Sequence, residues 1–241
     1  MKKIIAIIGS EKPATNSITA NLAKSLIDKI ANRLDDVEYE ILSLGEQNLM
    51  ICKGCRRCSK NGKCILNDDL DKIIEKIKSS DLIIIGSPVH ISHVSATYKN
   101  FLDRLHVLMH TFEFLGKPFV GVLSTNGSGE EDTIKYINHT ALLLGMIKLG
   151  TLIKFNNETF DEKKSDRISE EIIKMFNNKS KLKPTFKNTL YFWSMKKIIR
   201  DNKQYFEYED QIWKARDWYN LSYKKAFNKI NAINTSSQQP V

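Results

Sequence analysis

Long hydrophobic runs are missing from this 241-residue chain. None approaches the roughly 20 apolar residues that a bilayer-crossing helix needs, which excludes a helical membrane span. The opening MKKIIAIIGSEKP holds only the short apolar core IIAII, with no small-residue cleavage site after it. It reads as a buried first strand rather than a secretion signal. Cysteine is absent from residues 1–51 and 65–241. A framework of structural disulfides does not suit a chain of this size, and the expected setting is the cytoplasm, where thiols stay reduced. No internal repeat, low-complexity domain or nucleic-acid motif is present. Walker A and GxGxxG patterns are absent too, which weakens any nucleotide or dinucleotide reading. What remains is 41% hydrophobic and 27% charged, the balance of a globular chain long enough for one full core.

The formal charge of +9 is concentrated at one end. Residues 181–241 carry 12 Lys and Arg against 5 Asp and Glu, or +7, and hold all three tryptophans. A solvated helical surface explains this basic excess better than a nucleic-acid partner, because no binding motif accompanies it.

Up to about residue 180, strand-like and helix-like patterns alternate. KKIIAIIG, VEYEILSL, DLIIIGSP, KPFVGVLS and IKLGTLIKF read as five strands. Several are near-continuous apolar runs, as expected of strands buried on both faces. Helical patterns cover Ser17–Leu34, residues 67–80, Val94–Met109, residues 129–146 and Glu162–Asn177. Such alternation means right-handed crossovers and a parallel sheet. The predicted fold is α/β: a flavodoxin-like, doubly wound five-stranded parallel sheet of order 2-1-3-4-5. The predicted organisation is a domain over 1–180 and a helical, basic and aromatic extension over 181–241. Within the extension, NTLYFWSMKKIIRDN and YEDQIWKARDWYNLSYKKAFNKI read as helices and NTSSQQPV as a frayed end. The extension is expected either to reach over a neighbouring subunit or a protein partner, or to cover an apolar patch of its own domain. A membrane-surface helix is a third option.

Ligands of such sheets bind beyond the carboxyl ends of the strands, where strand order reverses. Three loops should meet there. GSEKPATNSIT joins a strand to a helix, and its backbone amides with the side chains of Ser10, Thr15, Asn16, Ser17 and Thr19 suit a phosphate, to which Lys12 adds charge. The competing reading is an ordinary helix cap by Asn16 or Ser17. GSPVHISHVS offers Ser87, Pro88, Val89, His90 and Ile91 as a flat wall. His90 and His93 make a weak metal set without a third ligand. The third loop, STNGSGEED (Ser124–Asp132), begins with Ser124, Thr125, Asn126 and Gly127, and its glycines let it approach a ligand closely or be a plain βα turn. The segment FLDRLHVLMH, Phe101–His110, reads as core or dimer packing, with Asp103 and Arg104 as a candidate ion pair.

The four thiols fall at Cys52, Cys55, Cys58 and Cys64, a C-x2-C-x2-C-x5-C pattern. Three cysteines in one tight run suit a compact iron–sulfur cluster better than zinc, whose structural sites usually pair two separated C-x2-C knuckles. Lys53, Arg56, Arg57, Lys60 and Lys63 favour thiolates and offset a negative cluster. Free or oxidised thiols and a zinc staple stay open beside the cluster.

Taken together and in this order, GSEKPATNS, CKGCRRCSKNGKC, DLIIIGSPVHISHVSATYKNFLDRL and STNGSG resemble the NADPH-dependent FMN reductase family. The closer resemblance is to its iron-sulfur flavoprotein branch, over about residues 2–178. It implies that Ser10, Lys12, Asn16 and Ser17 hold the FMN phosphate. The loop from Ser87 to Ile91 would pack along the isoalloxazine, with His90 in place of the usual aromatic, and Ser124–Gly127 would lie at the far side of the ring. Glu11, Pro13, Ala14 and Thr15 depart from the family pattern. The thiols would be ligands of a [4Fe–4S] cluster. The implied function is an FMN-dependent oxidoreductase or electron-transfer flavoprotein, with no catalytic side chain assigned. NAD(P)H is a possible co-substrate, and a redox partner or small molecule is the acceptor. A homo-oligomer, dimer or tetramer, is expected, with neither nucleic acid nor a transmembrane segment. Rival readings are a cluster-free NAD(P)H-dependent FMN, quinone or nitro reductase, and a non-catalytic redox carrier or interaction protein.

Overall fold

The computed structural model describes residues 1–156, 158–178 and 182–236, with backbone alone for 231–236. Strands β1 (Lys2–Ile8), β2 (Val37–Ser43), β3 (Leu82–Pro88), β4 (Pro118–Thr125) and β5 (Ile147–Phe155) form one sheet. Every pairing is parallel, and the order is β2-β1-β3-β4-β5, as expected. The side-chain period of two explains why β1 is apolar throughout. Ile4, Ala6 and Ile8 enter the core on one face, while Ile5 and Ile7 enter the core on the other. On the first face lie helices α1 (Ile18–Ala31) and α7 (Glu162–Asn177), which Lys29 ties together through Glu162 and Asp166. On the second lie α3 (Leu70–Ser79), α4 (Ala96–Arg104) and α6 (Glu130–Leu143).

Two expected helices break. The one predicted from Val94 to Met109 divides at Leu105 into α4 and a short α5 (His106–His110). The last tail helix divides into α9 (Glu207–Ala215) and α10 (Tyr223–Ser236). The second break follows from Asp217, whose φ of 59° is left-handed. The Trp218 amide turns back to the Trp213 carbonyl at 2.9 Å, which closes the helix end without a glycine. An additional turn, α2 (Cys58–Asn61), lies inside the cysteine segment.

The tail packs on its own chain. Helix α8 (Phe186–Asp201) begins with a reciprocal cap between Thr185 and Asn188, and the Asn188 side chain donates to the Met146 carbonyl at 3.1 Å. Trp213, Trp218, Phe192 and Tyr223 are buried and join the cluster that holds Phe112 and Ile147. Arg216 donates to the Thr111 carbonyl and pairs with Glu113 at 2.7 Å. Burying a ring such as that of Phe192 contributes about 1.5–3 kcal/mol, so this cluster is a firm anchor. Trp193 alone among the tryptophans is exposed. The expected junction at 180/181 and residues 237–241 of the expected frayed end lie outside the described residues. The first residues of that end, Asn234–Ser236, belong to α10. Among the described residues, no helix is long and apolar enough to cross a membrane.

Candidate functional site

At the carboxyl ends of β1, β3 and β4 the three loops converge on an open cleft of ≈ 290 Å³. Its floor is fixed by hydrogen bonds that leave little freedom. The Gly9 amide donates to the Gly86 carbonyl at 2.7 Å, and Ser95 Oγ donates to the Gly9 carbonyl at 2.5 Å. A methyl group on Gly9 would lie 2.4 Å from Tyr98 Cβ, so the strand end passes against α4 only because glycine is there. Ser95 also caps α4 by accepting from the Tyr98 amide.

The first loop is clamped from β2. Ser43 Oγ lies 2.9 Å from the Ser10 carbonyl and 2.6 Å from the Lys12 carbonyl, and the Gly45 amide also donates to Ser10. Ser10 and Lys12 line the cleft with Ser17, which caps α1 by accepting from the Ala20 amide at 3.3 Å. Capping and cleft lining are therefore compatible roles for Ser17. The first turn of a helix leaves amides without intrahelical partners, and those of α1 begin at this rim. Asn16 is exposed in the short turn before α1 and does not line the cleft.

From the second loop, Pro88, Val89 and His90 line the cleft. Ser87 lies beneath it, fully buried. Its hydroxyl donates to the Pro88 carbonyl and accepts from the Ser95 amide, so it braces the loop from inside. His90 and His93 face each other across a tight turn through reciprocal backbone bonds of 2.8 and 3.1 Å. The His93 ring packs on Tyr136 with centroids 4.4 Å apart, which turns it to packing. Ile91, at φ 49°, is wholly exposed at the tip and lies outside the cleft lining.

The third loop contributes Ser124, Thr125 and Asn126. Ser124 Oγ is 2.6 Å from Thr19 Oγ1, a buried bond between β4 and α1. Gly127 does not line the cleft, and its amide donates to Thr125 Oγ1 at 3.2 Å. Glu11, Ile18 and Asn156 are cleft residues that sequence reasoning left out, whereas Thr19, one of the expected phosphate-loop hydroxyls, does line the cleft and Thr15 does not. Asn156 follows the carboxyl end of β5 and hydrogen-bonds to Asn126. The strand-end rule that selected the other loops also points to it.

The donors here are hydroxyls, amides, one lysine and a helix start, beside the apolar surface of Ile18, Pro88 and Val89. That set fits a phosphate at one end and a flat ring at the other. Glu11 places a carboxylate at the same rim.

The cysteine segment lies one helix away. Helix α4 runs from Ser95, under the cleft, to Arg104, about 13 Å at 1.5 Å per residue. Asn100 accepts from the Cys52 amide at 3.0 Å, and Arg104 Nη2 is 3.3 Å from Cys64 Sγ. Arg104 also grips Asp68, with neither side chain exposed, and Asp68 accepts from the Met50 amide at 2.8 Å. One buried pair thus fastens both ends of the thiol segment. The expected Asp103–Arg104 pair does not form, because these neighbours leave the helix on different sides. Asp103 instead pairs with Lys99 one turn away.

Cys55 is exposed, and the other three thiols are half-buried and unbridged. Burial, then the neighbouring Cys64 and Cys55, pushes the Cys58 thiol above its ordinary pKa. Four soft donors on one segment rich in lysine and arginine have the chemistry of a metal centre that holds them as thiolates, but among the described residues no three of these sulfurs lie close enough to share one ion.

A sequence profile of the NADPH-dependent FMN reductase family matches residues 2–159. An iron-sulfur flavoprotein of Methanocaldococcus jannaschii is 37% identical over 150 residues, 61% of this chain and 76% of that protein. One of Clostridioides difficile is 32% identical over 171 residues, 69% of this chain and 75% of the relative. An FMN-dependent NADH:quinone oxidoreductase of Metamycoplasma arthritidis is 25% identical, covering 72% and 97% of the two chains. The apo structure of an NADH:FMN oxidoreductase superposes with a TM-score of 0.54 at 16% identity, covering 78% of this chain and 94% of the other. The chain belongs to the NADPH-dependent FMN reductase family and is an FMN-dependent oxidoreductase.

Proposed function

We propose that the chain is an electron-transfer flavoprotein that holds FMN in the cleft and a [4Fe–4S] cluster on Cys52, Cys55, Cys58 and Cys64. The observation that carries this reading is helix α4, which braces the cleft floor through Ser95 and the thiol segment through Asn100 and Arg104. Bound FMN supplies hydride or electron chemistry, and the protein supplies position and electrostatics. Ser10, Ser17 and the start of α1 would take the phosphate, with Lys12 offsetting Glu11. Pro88, Val89 and His90 would bound the ring on one side and Ser124, Thr125 and Asn126 on the other. Arg104 would hold Cys64 in place and neutralise part of the thiolate charge. The cationic loop gives an acidic redox partner an approach beside the exposed Cys55. The proposal includes a cytoplasmic setting and a homo-oligomer.

The test is anaerobic purification with FMN, iron, sulfide and zinc analysis and a visible spectrum. About four irons and one FMN per chain are expected. Cys55→Ala should abolish iron while sparing FMN. Iron-free wild-type protein would reduce the reading to a cluster-free reductase, and a protein that refuses FMN would remove it altogether.

A further inference from the structure

Helices α5 and α9 meet at a cluster the flavin chemistry does not use. His106 and His110 are one turn apart on α5, a spacing that puts both imidazoles on one face. Opposite them stands Glu209 of α9. One ligand-capable atom from each of the three lies within 4.8 Å of the other two. The histidine rings meet edge-on with centroids 4.3 Å apart, and His110 Nδ1 is 3.1 Å from Glu209 Oε1. The Glu209 side chain has no exposure, and its second oxygen, Oε2, has no hydrogen-bond partner among the described residues. A carboxylate withdrawn from water needs both oxygens answered, and one imidazole answers one of them.

We propose that His106, His110 and Glu209 bind one divalent transition-metal ion of the zinc or ferrous class, at the α5–α9 seam and separate from the four thiols. Two imidazoles and a carboxylate are the donors those ions take, whereas calcium and magnesium favour all-oxygen sets. The two histidines are only partly covered, which leaves an outer side for a water ligand. The surroundings hold the ligands in place. Trp213 Nε1 donates to the His110 carbonyl at 2.9 Å, and the Phe206 ring meets the His110 ring edge-on at 5.3 Å. The ion would join α5 of the sheet domain to the tail. Glu209 adjoins Tyr208, whose ring packs against Gly62 in the thiol segment, so the same ion would fix the helix that packs on that segment.

Two zinc measurements test this. In the full-length chain with all four cysteines changed to serine, and with FMN binding as proof of folding, one zinc per chain should bind and raise the melting temperature. Adding His106→Ala or Glu209→Gln should weaken zinc binding at least tenfold and remove that rise. In the wild-type protein, X-ray absorption at the zinc edge should reveal a site with nitrogen and oxygen donors only, lost in His106→Ala. No zinc uptake by the cysteine-free chain, unchanged affinity in both variants, or an all-sulfur zinc environment in the wild type would each overturn the site.

Discussion

The cleft at the strand ends and the thiol segment are built on opposite plans. The cleft is made by the sheet: its loops begin where β1, β3 and β4 end, and neutral hydrogen bonds among Gly9, Ser43, Ser87 and Ser95 hold them. The thiol segment is held chiefly by helices: its turn α2 meets α5 and α9, and α4 grips its two ends. It is held by one buried ion pair, one asparagine and the tail. Redundant neutral bonds make a site that tolerates single losses. A charge pair with no exposure makes one that fails when either partner goes, because the survivor is left charged and unpaired.

The sharpest way to break that contrast is Arg104→Met. It should cost about 3–5 kcal/mol in urea unfolding and abolish iron while FMN binds to the remaining folded protein. Wild-type stability in this variant would refute the view that the buried pair is the segment's main fastener. Acid unfolding sharpens the same point. Burial opposes charge on Asp68, but Arg104 and the amides of Met50 and Leu70 outweigh it and hold the carboxyl below its ordinary range. A depressed carboxyl contributes stability in full above its unfolded pKa, near ~3.9, and loses it as pH falls through the folded value. Asp68→Asn should flatten that acid limb.

On the cleft side, Gly9→Ala should cost about 1–3 kcal/mol through the clash with Tyr98 and weaken FMN binding without touching iron. Ser17→Ala should cost about 1 kcal/mol for the lost cap, with a smaller loss of FMN affinity in fluorescence titration. The least effect is a gain. Ile91 is wholly exposed and left-handed, which costs a branched residue about 1–2 kcal/mol, so Ile91→Asn should raise the denaturation midpoint slightly. A drop instead would mean that the side chain is buried in the working assembly.

The sheet was legible because buried parallel strands leave long apolar runs such as IIAII and LIII. Its order followed from the alternation with helices. The cleft residues were largely legible for the same reason, since strand ends are easy to find. Ser87 shows the limit: a polar residue at a strand end can face inward, and composition does not give direction. The bond between Arg104 and Asp68 was not legible, because its partners stand 36 positions apart and Asp103 offers a nearer false partner. The helix stop at Asp217 escaped notice for want of the usual glycine.

The ring of Tyr208 rests on Gly62, so the segment completed early in synthesis is covered by one that emerges 146 positions later. At about 5–20 residues per second, a nascent chain shows its thiols to the surroundings for roughly 7–30 s before that cover exists. Insertion of anything the four sulfurs hold thus has a first opportunity on the ribosome, while in the finished chain the approach left open is the side of the exposed Cys55.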